Sequence, residues 1–264
     1  MNKKIGTGII AGTGFYDTDI ITDKEFLEIN TPYGKTSEKL MTGNINGKNV
    51  VFLPRHGKEH NVPPHKINFR ANLWAMKEIG VERILAPCAV GSLQEEMEPG
   101  HIVVPDQFID RTKNRPSTFY EDGKVAHIST ADPFCSELRN VIIDSGKELE
   151  MKIHSKGTQI CIEGPRFSTR AESKMFRIWK ADTINMTLLP ECILARELEI
   201  CYVAIATITD YDVWAEKPVT HKEVIRTLNE NVDKINNLLI NSIPKIPEKR
   251  NCVCKNALSE ATNS

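Results

Sequence analysis

The sequence predicts an α/β fold in a single domain, and three observations carry the prediction. Short apolar, β-branched runs alternate with longer helical patterns from residue 5 to about residue 243, the order expected when helices cover a sheet. No break in composition divides the chain, and no internal repeat is present. Several of the apolar runs end in glycine, threonine or charged residues, as where strands of an open sheet deliver ligand groups beyond their carboxyl ends.

The 264 residues suffice for one large α/β domain, read as 1–247, followed by a polar tail, 248–264, expected to be loose. Lys and Arg total 34 against 35 Asp and Glu, so no basic field suggests nucleic acid as a partner. No apolar run approaches the length of a membrane span. The run behind the basic start Met1-Asn2-Lys3-Lys4 is too short for a signal peptide. A cytoplasmic protein without membrane partners is expected. Seven scattered cysteines suit free thiols better than a secreted disulfide framework.

In chain order, Ile9-Ile10-Ala11 reads as a strand ended by Gly12-Thr13-Gly14. The pattern from Gly6 to Ala11 imitates a dinucleotide fingerprint, but those glycines precede the strand instead of following it. The Gly-Thr-Gly turn suits either an anion on backbone N–H groups and the Thr13 hydroxyl or an ordinary tight turn. Val50–Leu53 is a second strand, ending in Pro54-Arg55-His56-Gly57; Arg and His there suit phosphate. His56, His60 and His65 are close in sequence, but Pro63-Pro64 interrupts any helix that would align them, and no metal is assigned. A helix is expected from His65 to Ile79, a strand from Ile84 to Ser92, and another over Ile102–Val104. Residues 111–127 read as a long extended loop, of the kind that is functional or reaches a neighbour. A helix is expected from Asp132-Pro133 to about Met151, and a strand over Gln159–Ile162. Thr169–Glu172 forms a capping-box pattern opening the next helix. Ile184–Thr187 and a helix from Pro190 to Glu197 lead to the strand Ala204–Thr209, which delivers Asp210, Tyr211, Asp212 and Trp214. Alternate carboxylates on extended chain can meet one ligand, or one can cap a turn while the other is solvated. A second capping-box pattern at Thr220–Glu223 opens a helix to about Ser242, stopped by Pro244 and Pro247.

In this order GIIAGTG, PRHG, AVGSL, EGPRFSTRAE, INMT and TDYDVW resemble the trimeric purine nucleoside phosphorylase superfamily, and within it the methylthioadenosine phosphorylase family, over about residues 5–243. The resemblance implies a twisted mixed central sheet flanked by helices. It also implies phosphorolysis of S-methyl-5′-thioadenosine to adenine and S-methyl-5-thioribose 1-phosphate, in purine and methionine salvage. Phosphate is then a co-substrate and no cofactor is needed. Thr13, Arg55, His56, Cys88, Ala89 and Thr187 would hold phosphate. Phe167 and Ser168 would meet the base, Met186 the ribose hydroxyls, and Asp210 the base N7, with Tyr211 beside it. Asp212 would accept from the adenine amino group, which disfavours methylthioinosine and other 6-oxopurines.

Two residues depart from the family pattern. Cys88 stands where relatives place Thr or Ser on phosphate. By the resemblance, His221 would lie beside the ribose 5′ substituent, where relatives that accept a 5′-hydroxyl carry His, so acceptance of adenosine is the alternative reading. The resemblance also implies a homotrimer or a dimer of trimers, with His127 reaching a neighbour's site. By the same resemblance, Cys252-x-Cys254 and the pair Cys135 and Cys201 match disulfides of thermophilic relatives, against a reduced tail.

Overall fold

The computed structural model describes residues 5–12, 19–121, 123–215, 220–259 and 261; the side chains of His221 and Glu223 also lie outside the description. Thr13 is therefore not placed.

Eleven strands among the described residues join in one mixed sheet. They are β1 (Thr7–Ala11), β2 (Thr22–Leu27), β3 (Leu40–Ile45), β4 (Lys48–Pro54), β5 (Arg83–Ser92), β6 (Ile102–Val103), β7 (Gln107–Arg111), β8 (Ile153–His154), β9 (Thr158–Ile162), β10 (Thr183–Asn185) and β11 (Cys201–Asp210). The helices are α1 (Phe69–Glu78), α2 (Ser136–Glu148), α3 (Arg170–Ile178), α4 (Leu188–Glu197) and α5 (His221–Ser242).

The central strands are apolar throughout because both faces are covered. Along β1, Ile9 and Ala11 pack into one core and Ile10 into the other. Along β11, Cys201, Val203 and Ile205 join the first core, and Tyr202 and Ala204 the second. This is the two-residue period of a strand buried on both faces. The first core takes Leu138 and Ile142 of α2 with Leu228, Ile235 and Leu239 of α5. The second takes Leu73 and Met76 of α1 with Leu188 and Leu194 of α4.

The central strand β5 positions the site. On one edge it runs parallel to β11 from Arg83 to Gly91. On the other it pairs with β1 only from Arg83 to Leu85, and then with the antiparallel β10 at Gly91 and Ser92. Between them, Gly12 N donates to Pro87 O at 3.1 Å. The edge of Cys88–Val90 thus faces the gap where β1 leaves and β10 enters. A cleft at such a switch between neighbours is where α/β sheets hold ligands.

Several elements differ from expectation. α1 begins at Phe69 instead of His65, because Asn68 is the N-cap, its Oδ1 accepting from Ala71 N at 3.1 Å. α2 begins at Ser136, not at Asp132-Pro133: the Cys135 N–H is spent on Tyr202 O at 3.0 Å, holding that residue extended. β2 was not expected, since TDKEFL is an exposed, charged edge strand without an apolar period. Over its described residues the tail packs on the domain, where it was expected to be loose. Cys254 is 4 % exposed within the first core, and Arg250 Nη1 donates to Glu199 O at 2.6 Å.

Candidate active site

A cavity of about 530 Å³ opens along the free edge of β5. Its walls come from strand ends and connections: Gly12, His56–Pro64 in part, Cys88–Gly91, Phe167 and Ser168, Asn185–Thr187, and Asp210 and Asp212. Val224 of α5 also reaches it.

One end is built for an anion. Arg55 is 1 % exposed. It donates from Nε to Glu191 Oε2 (2.6 Å), from Nη2 to Glu191 Oε1 (2.7 Å), and from Nη2 to Ile10 O (3.0 Å). Glu191, fully buried, also accepts from the Tyr202 hydroxyl at 2.8 Å. Burial opposes the charge on Arg55, but the facing Glu191 carboxylate outweighs it and the pKa is raised. The fork consumes Nε and Nη2, leaving Nη1 buried without a partner. Arg55 itself stands behind the wall. A Cβ on Gly12 would lie 2.9 Å from Nη1, so only glycine there leaves the guanidinium room.

His56 is buried, and burial pushes its pKa down to about 4, helped by Arg55 and His60 and opposed by its hydrogen bond to Val62. Nδ1 lies 2.8 Å from Val62 O; a carbonyl only accepts, so the proton sits on Nδ1. In the neutral ring Nε2 is then an acceptor. The expectation of His56 as a donor to phosphate holds only for the imidazolium, which an adjacent anion favours. Burial pushes the Cys88 thiol up to about 11, against the pull of Arg55. It is therefore a neutral thiol, 3.8 Å from Asn185 Nδ2. Thr187 is the N-cap of α4 but makes no side-chain capping bond, so its hydroxyl is not committed to the helix.

The other end carries the carboxylates. A register shift in β11 between Ile208 and Asp210, opposite Val90 and Gly91, marks a bulge that re-aims the strand end. Asp210 Oδ2 accepts from Thr209 Oγ1 and Oδ1 from Asp212 N, both at 2.7 Å. Asp212 takes a left-handed conformation with φ of 51° and is 4 % exposed. Burial raises its pKa, and Oδ2 has no partner. Gly91 allows the approach, since a Cβ there would lie 3.0 Å from Asp210 Oδ1 and 3.4 Å from Asp212 Cβ. Ser168 Oγ and Asn185 Oδ1 are likewise buried and unpartnered. Each such atom costs about 1–3 kcal/mol, so their gathering around one cavity points to a polar ligand that satisfies them.

Of the residues expected from sequence, His56, Cys88, Ala89, Phe167, Ser168, Met186, Thr187, Asp210 and Asp212 line this cavity. Arg55 stands behind it. Tyr211 does not line it; its ring packs edge-on against Trp214 at 5.4 Å. His127 is exposed outside it, its N–H donating to Ala261 O at 2.7 Å. Thr13 and the His221 side chain lie outside the described residues. Sequence reasoning missed Glu191, whose signal was present: one acid amid the buried Leu188, Leu189, Cys192 and Leu194 of α4 needs a buried cation. It also missed Asn185, Thr209 and the cavity wall His60–Pro64.

Residues 7–244 match the family model of the phosphorylase superfamily. The chain belongs to this superfamily. It is 56% identical over 261 residues to the S-methyl-5′-thioadenosine phosphorylase of Nitrosopumilus maritimus, covering 99% of both chains. It is 59% identical over 251 residues to that of Pyrococcus abyssi, covering 95% of this chain and 96% of the relative. Among solved structures, a methylthioadenosine phosphorylase from an antarctic soil metagenomic library superposes with a TM-score of 0.93 at 41% identity, covering 99% of this chain and 93% of that one. The methylthioadenosine phosphorylase of Schistosoma mansoni in complex with adenine gives a TM-score of 0.90 at 36% identity, covering 94% and 93%. The expected mixed sheet with flanking helices is the superfamily's fold, and the cavity lies along its central strand.

Proposed function

We propose that this chain is an S-methyl-5′-thioadenosine phosphorylase, cleaving its substrate with inorganic phosphate to adenine and S-methyl-5-thioribose 1-phosphate in purine and methionine salvage. The observation that carries the reading is one cavity with a buried, unpartnered guanidinium N–H just behind the Gly12 wall at one end and a buried, unpartnered carboxylate oxygen at the other. Identity of 52–59% to eight relatives of that name supports it.

Phosphate sits by Gly12, His56, Ala89 and Thr187, with Arg55 behind. As the C1′–N9 bond breaks, its electron pair moves into the purine and positive charge develops on the sugar, which the adjacent phosphate stabilises. A phosphate oxygen then bonds C1′. Asp210 gives a proton to N7, so that adenine leaves neutral, or a hydrogen bond that stabilises the departing adenine anion. Asp212 Oδ2 accepts from the exocyclic amine; a 6-oxopurine presents an oxygen there and is repelled. Phe167 packs on the base and Met186 borders the ribose. Inorganic phosphate is the sole co-reactant, and no cofactor is required.

Adenosine is a second substrate in this reading. A Schistosoma mansoni neighbour at 36% identity is described as an adenosine/methylthioadenosine phosphorylase. His221 opens α5 one turn ahead of Val224, which lines the cavity, and a hydrogen-bonding residue there favours a 5′-hydroxyl. Replacing His221 by Val then depresses adenosine turnover more than that of methylthioadenosine, and equal effects reject it. The working unit is a homotrimer or a dimer of trimers, with Tyr211 and His127 near a site completed by a neighbour. The exposed Ile178 and Trp179 at the end of α3 support association. No helix among the described residues is long and apolar enough to cross a membrane, and the proposed location is the cytoplasm.

The test is base release from methylthioadenosine, adenosine and inosine, each with and without phosphate. Phosphate-dependent adenine release with inosine inert is expected. Release without phosphate, or cleavage of inosine, overturns the reading.

A further inference from the structure

About 30 Å from Asp210, nine residues back along β11 at some 3.3 Å each, four cysteines meet. Cys201 is the first residue of β11, Cys135 the N-cap of α2, and Cys252 and Cys254 come from the tail. Their Sγ atoms all lie within 4.8 Å of one another, and Cys201 and Cys252 approach to 3.3 Å. We propose that Cys135, Cys201, Cys252 and Cys254 form a structural tetrathiolate site for Zn²⁺ that pins the tail to the domain. The sequence reading assigned no metal and left these residues as reduced thiols or disulfides.

Geometry, chemistry and placement all support the site. Zn–S bonds of about 2.3 Å in a tetrahedron set S–S separations of about 3.8 Å, within the 4.8 Å that encloses all four sulfurs. Four sulfurs without carboxylate or imidazole make a soft donor set, which selects zinc over hard cations. Four protein ligands leave no open position, as in structural and not catalytic zinc sites. Cys135, Cys201 and Cys254 are buried and Cys252 half-buried. Buried thiols have only weak hydrogen bonds to offer one another, whereas a cation satisfies all four.

The tail is brought to the site by bonds that do not involve sulfur. Arg83 Nη2 donates to Glu248 O at 3.3 Å, Arg250 Nη1 to Glu199 O at 2.6 Å, and Leu258 N to Glu199 Oε1 at 3.3 Å. Binding replaces four thiol protons, released to solvent, by one cation, with no change of oxidation state. Beyond the site, Ala261 O accepts from His127 N, so a pinned tail also steadies the loop that carries His127.

The experiment is metal analysis and intact mass of the full chain, purified under reducing, anaerobic conditions and equilibrated with equimolar Zn²⁺, with Co²⁺ as the spectroscopic probe. One zinc per chain and a thiolate-to-cobalt charge-transfer band are expected. Cys252→Ser and Cys254→Ser each weaken zinc retention roughly tenfold or more, while Cys161→Ser, a buried cysteine of β9 outside the cluster, retains it. Base release at ambient temperature persists in Cys252→Ser, which keeps loss of the metal separate from loss of the fold. A zinc-free chain with titratable thiols, the mass deficit of disulfides, or iron in place of zinc overturns the proposal.

Discussion

Glu191→Ala separates what holds the anion end together from what it does. The carboxylate is fully buried and accepts two charge-assisted hydrogen bonds from Arg55 and one from Tyr202. Its removal strands a guanidinium that is 1 % exposed. Breaking a buried ion pair from one side costs about 3–5 kcal/mol. For a chain of this size each kcal/mol moves Tm by about 2–4 °C, so a fall of about 6–20 °C is expected. The assay is thermal unfolding followed by circular dichroism at fixed protein concentration, since association shifts Tm. Arg55 loses its fork and its aim, so the KM for phosphate rises about tenfold or more, the worth of one charged hydrogen bond. The double variant Arg55→Met, Glu191→Met removes both charges. It regains most of the stability but not the affinity for phosphate. A Tm for Glu191→Ala within about 2 °C of the parent, or an unchanged phosphate KM, refutes the reasoning.

Three further predictions test the rest of the cavity. Gly91→Ala puts a Cβ 3.0 Å from Asp210 Oδ1 and 3.1 Å from Ile184 Cγ2; kcat/KM falls about a hundredfold through displaced carboxylates, and steady-state kinetics equal to the parent's would show the contact is slack. Asp210→Asn keeps the acceptor for Asp212 N but loses the proton, so kcat drops about 10²–10⁴-fold while Tm and the thermal shift given by phosphate are kept. His56 has a pKa pushed down from 6.5 to about 4. The unfolded chain therefore binds the extra proton between those values, and stability from this residue falls as pH drops through that window, by about 3 kcal/mol in all. Denaturant titrations of His56→Asn at pH 4 and pH 7 should show a smaller acid loss than the parent; an equal loss removes His56 as its source.

The strands of the sheet centre were legible because burial on both faces leaves a run of apolar and β-branched residues, as in Ile9-Ile10-Ala11 and Ala204–Thr209. Caps were legible where they are local: Thr169 and Glu172 exchange the hydrogen bonds their spacing implies. Helix starts governed by distant partners were not, as Cys135 shows by giving its N–H to Tyr202. Edge strands such as β2 carry no apolar period to read. In the site, the residue types at the strand ends were plain from the sequence, but not which of their atoms are already bonded.

The sequence by itself therefore determined the fold class, the inventory of ligand-bearing strand ends and the family, since each depends on local pattern and order. Tertiary structure alone decided that Arg55 is held by Glu191 with Nη1 to spare, and that His56 is buried with Nδ1 against the Val62 carbonyl. It also decided that four cysteines spread over residues 135–254 meet at one point. These are contacts between segments far apart in the chain, set by strand register and burial, and no local pattern encodes a distance.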